Sequence, residues 1–322
     1  MVLPDFEDAM GRLVAILGQR LVQAVTVAFV VSLLCFALAQ LLPGDQALQI
    51  AQRRYGDDRV TTAAAEAVRA ELGLERPLAL QLIDWMGRTV SGDLGRSLVS
   101  GAPVWEEIRD QLGATLALAG AALGLALLLG PVFGALAGLR PGGLADRAGM
   151  AAAAAFRAVP NFVVGLLLMV GCTVLFGWLP VGDSRGWLSL LLPALTLGLG
   201  LAATSARIAR DGVVAALRSP FFAFARMKGL SRAEAILRHV PRNAAVPLIA
   251  YLAVSFAFLI EGVVVVEEIF AWPGIGHALT HAIEGRDVPM IQGTALMLSL
   301  LLVLLNALTD LALLLVDPRR RA

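Results

Sequence analysis

The sequence predicts an all-α, polytopic membrane protein with about six transmembrane helices, a helical extracytoplasmic insertion after the first, and a cytoplasmic helix pair between the fourth and fifth. Three observations carry this expectation. Hydrophobic residues make up 58% of the 322 and charged residues 16%, against roughly one quarter charged in soluble domains; mean hydropathy is +0.78. Apolar runs recur at the length a hydrocarbon core demands, about 20 residues per helix. Basic residues concentrate in alternate connections between those runs, as the positive-inside tendency requires.

Residues 1–43 read as a cytoplasmic N-terminus and a first span, Leu21–Leu42. This run is too long for a signal peptide, and Pro43-Gly44-Asp45 follows it in place of a small-residue cleavage site. Residues 44–113 mix both signs of charge, with helical stretches at Thr61–Leu74, Leu78–Val90 and Val104–Leu112. They read as a small helical cap outside the membrane. Residues 114–322 form the core domain, with spans expected at Ala114–Leu139, Ala158–Phe176, Leu188–Ala206, Ala244–Ile260 and Val288–Leu308. Cys35 and Cys172 both fall inside apolar runs, so no disulfide framework is expected.

Charge sets the orientation. Arg12 and Arg20 precede the first span; Arg140, Arg147, Arg207, Arg210 and Arg218 lie in or near alternate loops, and Arg319, Arg320 and Arg321 end the chain. The opposite loops hold Asp183 with Arg185, and Glu267, Glu268 and Glu284 with Arg286 and Asp287. Both termini are therefore expected in the cytoplasm.

The segment 219–247 is the most informative. It carries five basic residues (Arg226, Lys228, Arg232, Arg238 and Arg242) against one carboxylate, Glu234. Ser219 can cap a short helix whose first position is Pro220, where a missing N–H costs nothing. Gly229 can close that helix in the left-handed region. Ser231 and Glu234 have the spacing of a capping box for a second helix, which Pro241 and Pro247 are expected to limit before the next span. The apolar Phe221, Phe222, Phe224, Ile236 and Leu237 argue against a merely solvated loop, since exposed aromatics on a helix call for a protein groove.

This segment resembles the permease signature of binding-protein-dependent ABC importers, Glu-Ala-Ala, three residues, then Gly. Here the Gly is Gly229 and the first three positions are Ala223, Phe224 and Ala225. The run A-R-M-K-G-L-S followed by L-R-H-V-P-R-N-A-A-V-P is similar to the branch importing dipeptides, oligopeptides and nickel. Further matches to that branch are L-L-P-G-D, G-D-L-G-R-S at Gly92–Ser97, E-E-I-F-A-W-P-G-I-G, R-D-V-P-M-I-Q-G, and Asn306, Asp310 and Asp317-Pro318-Arg319 near the end. The resemblance implies a permease subunit for short peptides or a related nickel, metal-chelate or opine-like solute. It further implies a second homologous permease, two cytoplasmic ATPases that hold ATP and Mg, and an extracytoplasmic solute-binding protein in the bacterial inner membrane.

The same resemblance assigns ATPase coupling to Phe221, Phe222, Ala223, Phe224, Ala225, Arg226, Gly229, Ser231 and Glu234. Because Ala223 replaces the signature Glu, no salt bridge from that position is implied. It also implies that the loop at Trp272, Pro273, Gly274 and Gly276 faces the binding protein.

The remaining residues are weaker candidates. Lys228 is the only lysine and Gly-Leu follows it, so the chain has no phosphate-binding G-x-x-x-x-G-K-[ST] loop and is not read as an enzyme. Glu261 either faces a water-filled pathway or marks the end of a span, and Pro160 is a second pathway candidate. Arg157 is expected to snorkel to the cytoplasmic interface. Asp310, with Asn306, is expected to pair at the inner face as a structural group. His277 and His281 share a helix face but read as an amphipathic surface, with no cofactor expected on this chain. A DNA-binding helix-turn-helix fits poorly between membrane spans. An ion-coupled secondary transporter is the alternative function, and it would leave the basic helix pair without a role.

Overall fold

The computed structural model describes residues 6–41, 45–55, 62–71, 75–179 and 187–316. The charges at Asp183, Arg185, Arg319, Arg320 and Arg321 lie outside them. Among the described residues the regular structure is helical, with one isolated bridge between Arg96 and Pro103. In chain order the helices are α1 Phe6–Leu41, α2 Gln46–Tyr55, α3 Thr62–Glu71, α4 Leu78–Val90, α5 Val104–Leu139, α6 Leu144–Ala158, α7 Asn161–Met169, α8 Trp187–Leu217, α9 Pro220–Met227, α10 Arg232–Ile269, α11 Ile275–Glu284 and α12 Val288–Val316. A π-helical turn, Val170–Leu175, continues α7.

Four helices among the described residues are long and apolar enough to cross a membrane: parts of α1 and α12, α5, and nearly all of α8. The bent pair α6–α7 adds a fifth if it is one span. The predicted run Ala244–Ile260 lies inside α10.

Three expectations are corrected. Val104–Leu112 and Ala114–Leu139 form the single helix α5; Gly113 between them is a weak helix former but takes helical geometry readily. The run Ala158–Phe176 is not one straight helix, because Val159 is extended (φ −89°, ψ 128°) and α6 and α7 meet at 100°. The residue before a proline is pushed out of the helical region, and Pro160 then opens α7. Pro241 and Pro247 do not end the second helix of the basic segment; both lie inside the 38-residue α10. Each proline removes one backbone hydrogen bond. The helix continues because both rings sit on its exposed side, while Val240 and Ala244 pack against Val213 and Ala216 of α8.

The chain divides into two compact units. The first holds Ala114–Pro273 with both chain ends, and α8 is its hub. The sequence L-G-P-V-F-G-A-L-A-G places Gly130, Gly134 and Gly138 of α5 at four-residue spacing against α8. A Cβ on Gly130 would lie 1.7 Å from Ser205 Oγ, on Gly134 2.2 Å from the Ala206 carbonyl oxygen, and on Gly138 2.9 Å from the Arg210 carbonyl oxygen. On another side of α8, Arg210 grips the buried Asp146 of α6 with two bonds, Nε–Oδ1 at 3.0 Å and Nη2–Oδ2 at 2.8 Å.

The second unit holds Gln19–Gly113 and Gly274–Val303. Its α2 and α3 pack through Ala47, Ile50, Ala51, Ala65 and Val68. A second cluster joins Val104 and Ile108 to Ile275, Ala282 and Met290.

Replacing Gly134 with leucine is expected to lower the detergent melting temperature markedly, at a cost of about 1–3 kcal/mol or more for overpacking. Leucine at Gly124, where a Cβ meets nothing within 4 Å, is expected to be nearly neutral in the same assay.

Candidate functional site

The basic helix pair is built largely by local rules. Ser219 Oγ accepts from the Phe222 N–H at 3.4 Å and itself donates to the Ala216 carbonyl, capping α9 and tying it to the end of α8. Gly229 has φ +91°. The Leu230 N–H reaches the Ala225 carbonyl at 3.3 Å and the Gly229 N–H the Arg226 carbonyl at 3.1 Å, the two bonds of a Schellman ending. Arg226 Nη1 donates to the Leu230 carbonyl at 2.8 Å, bracing the same turn. The Ser231 N–H then donates to Glu234 Oε2 at 2.8 Å, and the Glu234 N–H to Ser231 Oγ at 3.2 Å. Hydrogen bonding by the Ser231 side chain, and next by its backbone N–H, holds the Glu234 carboxyl below its usual range. Its contribution is therefore complete above the ordinary glutamate pKa and is lost as pH falls through the lowered folded value.

The faces of α9 differ. Phe222 packs with Val213, Ala216, Val240 and Ala244, and Ala225 is buried, so both serve the support side. Phe224 is 54% exposed, Met227 77% and Leu237 of α10 77%, with Phe221 also exposed. The Lys228 ammonium lies 4.6 Å from the Phe224 ring centroid. Met227, three residues after Phe224, was legible from helical spacing alone and is an addition to the sequence-derived set. Ala223 and Arg226 are exposed beside these residues.

The other candidates fall elsewhere. Pro160 is exposed at the α6–α7 bend. Glu261 belongs to α10, and its side chain lies outside the described residues. Trp272, Gly274 and Gly276 are buried, leaving Pro273 exposed; Trp272 Nε1 donates to the Ala114 carbonyl at 3.0 Å. Asn306 and Asp310 are half-buried on α12. His277 and His281 meet edge-on with their Nε2 atoms 3.1 Å apart, and His281 Nδ1 lies 3.6 Å from Glu284. No group of three or more potential metal ligands assembles among the described residues.

Two carboxylates expected in connecting loops are buried. Glu267, fully buried in the last turn of α10, accepts from Thr115 Oγ1 at 2.6 Å. Asp287, 2% exposed, accepts from Ser97 Oγ at 2.5 Å and the Val99 N–H at 3.3 Å, and caps α12 through the Met290 N–H at 3.2 Å. G-D-L-G-R-S and R-D-V-P-M-I-Q-G are thus two halves of one structural joint. For Asp287, between Gly285 and Pro289, the turn residues were the available signal, but sequence does not reveal burial.

Residues 130–322 match the family model for the binding-protein-dependent transport system inner membrane component, and residues 13–119 match the model for the N-terminal part of such membrane components. The chain belongs to this family. It is 36% identical over 303 residues to the glutathione transport system permease protein of Pectobacterium atrosepticum, covering 94% of this chain and 97% of the relative. The corresponding protein of Escherichia coli K12 is 35% identical over the same coverage. A probable peptide ABC transporter permease protein of Sinorhizobium fredii is 36% identical over 311 residues, covering 94% and 98%. The chain is accordingly the multi-pass membrane subunit of an ABC importer and not its ATPase.

Ser231→Ala is expected to cost about 1 kcal/mol of local helix stability, read as faster amide exchange over the first turn of α10. Thr115→Val is expected to lower thermal stability by about 1–3 kcal/mol by leaving Glu267 one donor short.

Proposed function

We propose that this permease moves short peptides, of the size of glutathione or a dipeptide, into the cytoplasm, and that the helix pair α9–α10 transmits ATP-driven closure to its membrane helices. The observation that carries the reading is a rigidly capped helix whose outer face exposes Phe221, Phe224 and Met227 beside Arg226 and Lys228. Apolar side chains rimmed by basic groups suit insertion into a protein cleft. The inner face, Phe222 and Ala225, transfers displacement to α8 and α10, while Gly229, Ser231 and Glu234 keep the turn stiff.

In this reading the partners are two cytoplasmic ATPases that hold ATP and Mg, a second homologous permease and an extracytoplasmic solute-binding protein. Both termini and the helix pair face the cytoplasm, and the segment 44–113 faces outside with the Trp272–Gly276 corner near the binding protein. The pathway passes Pro160 and Glu261. Peptide cargo is favoured by the glutathione and peptide systems to which the similar permeases belong. ATP does work only through differential binding to the two conformations; this chain supplies coupling geometry and makes no covalent bond.

Co-expression with candidate ATPase subunits tests this. The Phe224→Asp, Gly229→Asp double variant is expected to remain folded and membrane-inserted yet lose ATPase co-purification and at least 10-fold of ATP-dependent peptide uptake. Wild-type uptake in that variant, or wild-type uptake driven by an ion gradient without ATP, would refute the coupling role.

A further inference from the structure

Two histidines outside the basic helix pair meet in a way that their spacing alone does not dictate. The chain has three histidines. His239 lies beside Phe221, with ring centroids 6.4 Å apart, and the other two, His277 and His281, stand four residues apart on α11. That spacing puts them on one helix face, a turn apart. The helix beneath them is firmly held. Ile275 is fully buried and Ala282 4% exposed, and both belong to the cluster with Val104, Ile108 and Met290. The Gly285 N–H closes the helix on the His281 carbonyl at 2.7 Å, and the Asp287 N–H on the Ala282 carbonyl at 2.8 Å. The histidines lie off this packed side, His277 half-buried and His281 exposed.

The two Nε2 atoms are 3.1 Å apart. Imidazole nitrogens bound to one divalent transition-metal ion at about 2.0–2.1 Å stand about 2.9 Å apart at a right angle and about 3.3 Å apart at the tetrahedral angle. The observed separation falls between these limits. An N–H···N hydrogen bond accounts for the distance equally well but not for the ring placement. A well-formed bond needs the N–H and the in-plane lone pair of the acceptor nearly on one line, which sets the two rings end to end. Here the ring planes cross at 85° with centroids only 4.4 Å apart, so the nitrogens meet at an angle, as they do when both face one ion. The second nitrogen of His281 has a partner too: Nδ1 lies 3.6 Å from the Glu284 carboxylate. A carboxylate beside one imidazole nitrogen draws the ring proton there and leaves the opposite nitrogen with its lone pair for a metal.

We propose that His277 and His281 form a surface site for a divalent transition-metal ion, bound through both Nε2 atoms, with Glu284 as the positioning residue that orients His281. Two neutral imidazoles suit Cu²⁺, Ni²⁺ and Zn²⁺, with Cu²⁺ held most tightly. With two protein ligands the ion keeps open positions for water or an incoming donor. The bound ion bridges consecutive turns of α11 and stiffens it, because both ligands are in reach only when the helix is formed. The site stands apart from the peptide-importer reading and does not depend on it.

The test uses the full chain in detergent, purified without a polyhistidine tag on a Cys35→Ala, Cys172→Ala background, with Cu²⁺ as the probe for paramagnetic resonance and Zn²⁺ for amide exchange. A single Cu²⁺ per chain is expected, with a signal split by two imidazole nitrogens. His277→Ala and His281→Ala are each expected to weaken binding at least 10-fold and to remove the two-nitrogen signal, while His239→Ala leaves both unchanged. Glu284→Gln is expected to weaken binding about 10-fold with both nitrogens kept. Zn²⁺ is expected to slow amide exchange across α11 several-fold in the parent and not in His281→Ala. Full-strength binding in His277→Ala or His281→Ala, a signal from fewer than two nitrogens, or no binding at millimolar Cu²⁺ would overturn the site and leave the pair as a bent histidine–histidine hydrogen bond. Parent-like affinity in Glu284→Gln would overturn the positioning role of the carboxylate.

Discussion

Close backbone contact between α5 and α8 is the constraint on which the first unit depends. In lipid, apolar side chains gain little by leaving hydrocarbon for one another, so helices associate through tight van der Waals fit. Gly130, Gly134 and Gly138 provide it by removing every Cβ from one stripe of α5, leaving the Ser205, Ala206 and Arg210 turns of α8 in direct contact. With α8 held on that side, its remaining surface is free to receive α6, α7 and α10. Gly212 against Ala244 repeats the device on the α10 side, where a Cβ would come within 3.1 Å of the Ala244 Cα.

On this frame, buried charge does the work of loop fixation. Asp146 is gripped by Arg210, Glu267 by Thr115, and Asp287 by Ser97, Val99 and Met290. Each carboxylate joins segments distant in the chain, and each is worth keeping only while its donors remain, because an unpaired buried carboxylate is far costlier than a paired one. In the second unit Asp287 also caps α12, so the fold of the loop before α5 and the start of α12 are set by one side chain.

The basic helix pair illustrates how far sequence reading reaches. The cap at Ser219, the turn at Gly229 and the reciprocal bonds of Ser231 and Glu234 were all legible, since each involves neighbours a few residues apart. The division of labour among Phe221, Phe222 and Phe224 was not. Consecutive and near-consecutive aromatics look alike in sequence, and only the docking of α9 on α8 and α10 sends Phe222 inward and leaves Phe224 exposed. The two prolines of α10 were misread because the rule that prolines end helices is local, whereas the packing of Val240 and Ala244 that carries the helix through them is tertiary.

By itself the sequence determined the all-helical membrane class, the helical insertion, the capped basic segment and the family, because these follow from composition, run length, charge alternation and short-range spacing. Only the tertiary structure decided which carboxylates are buried, where the third apolar run breaks, and which aromatic of the basic segment faces inward. Burial in particular is a relation between segments: the chain places Asp287 in a turn, but its bond from Ser97, distant in sequence, closes it off from solvent. The physical reason is that a single segment records its own periodicity but not the register at which another segment will pack against it.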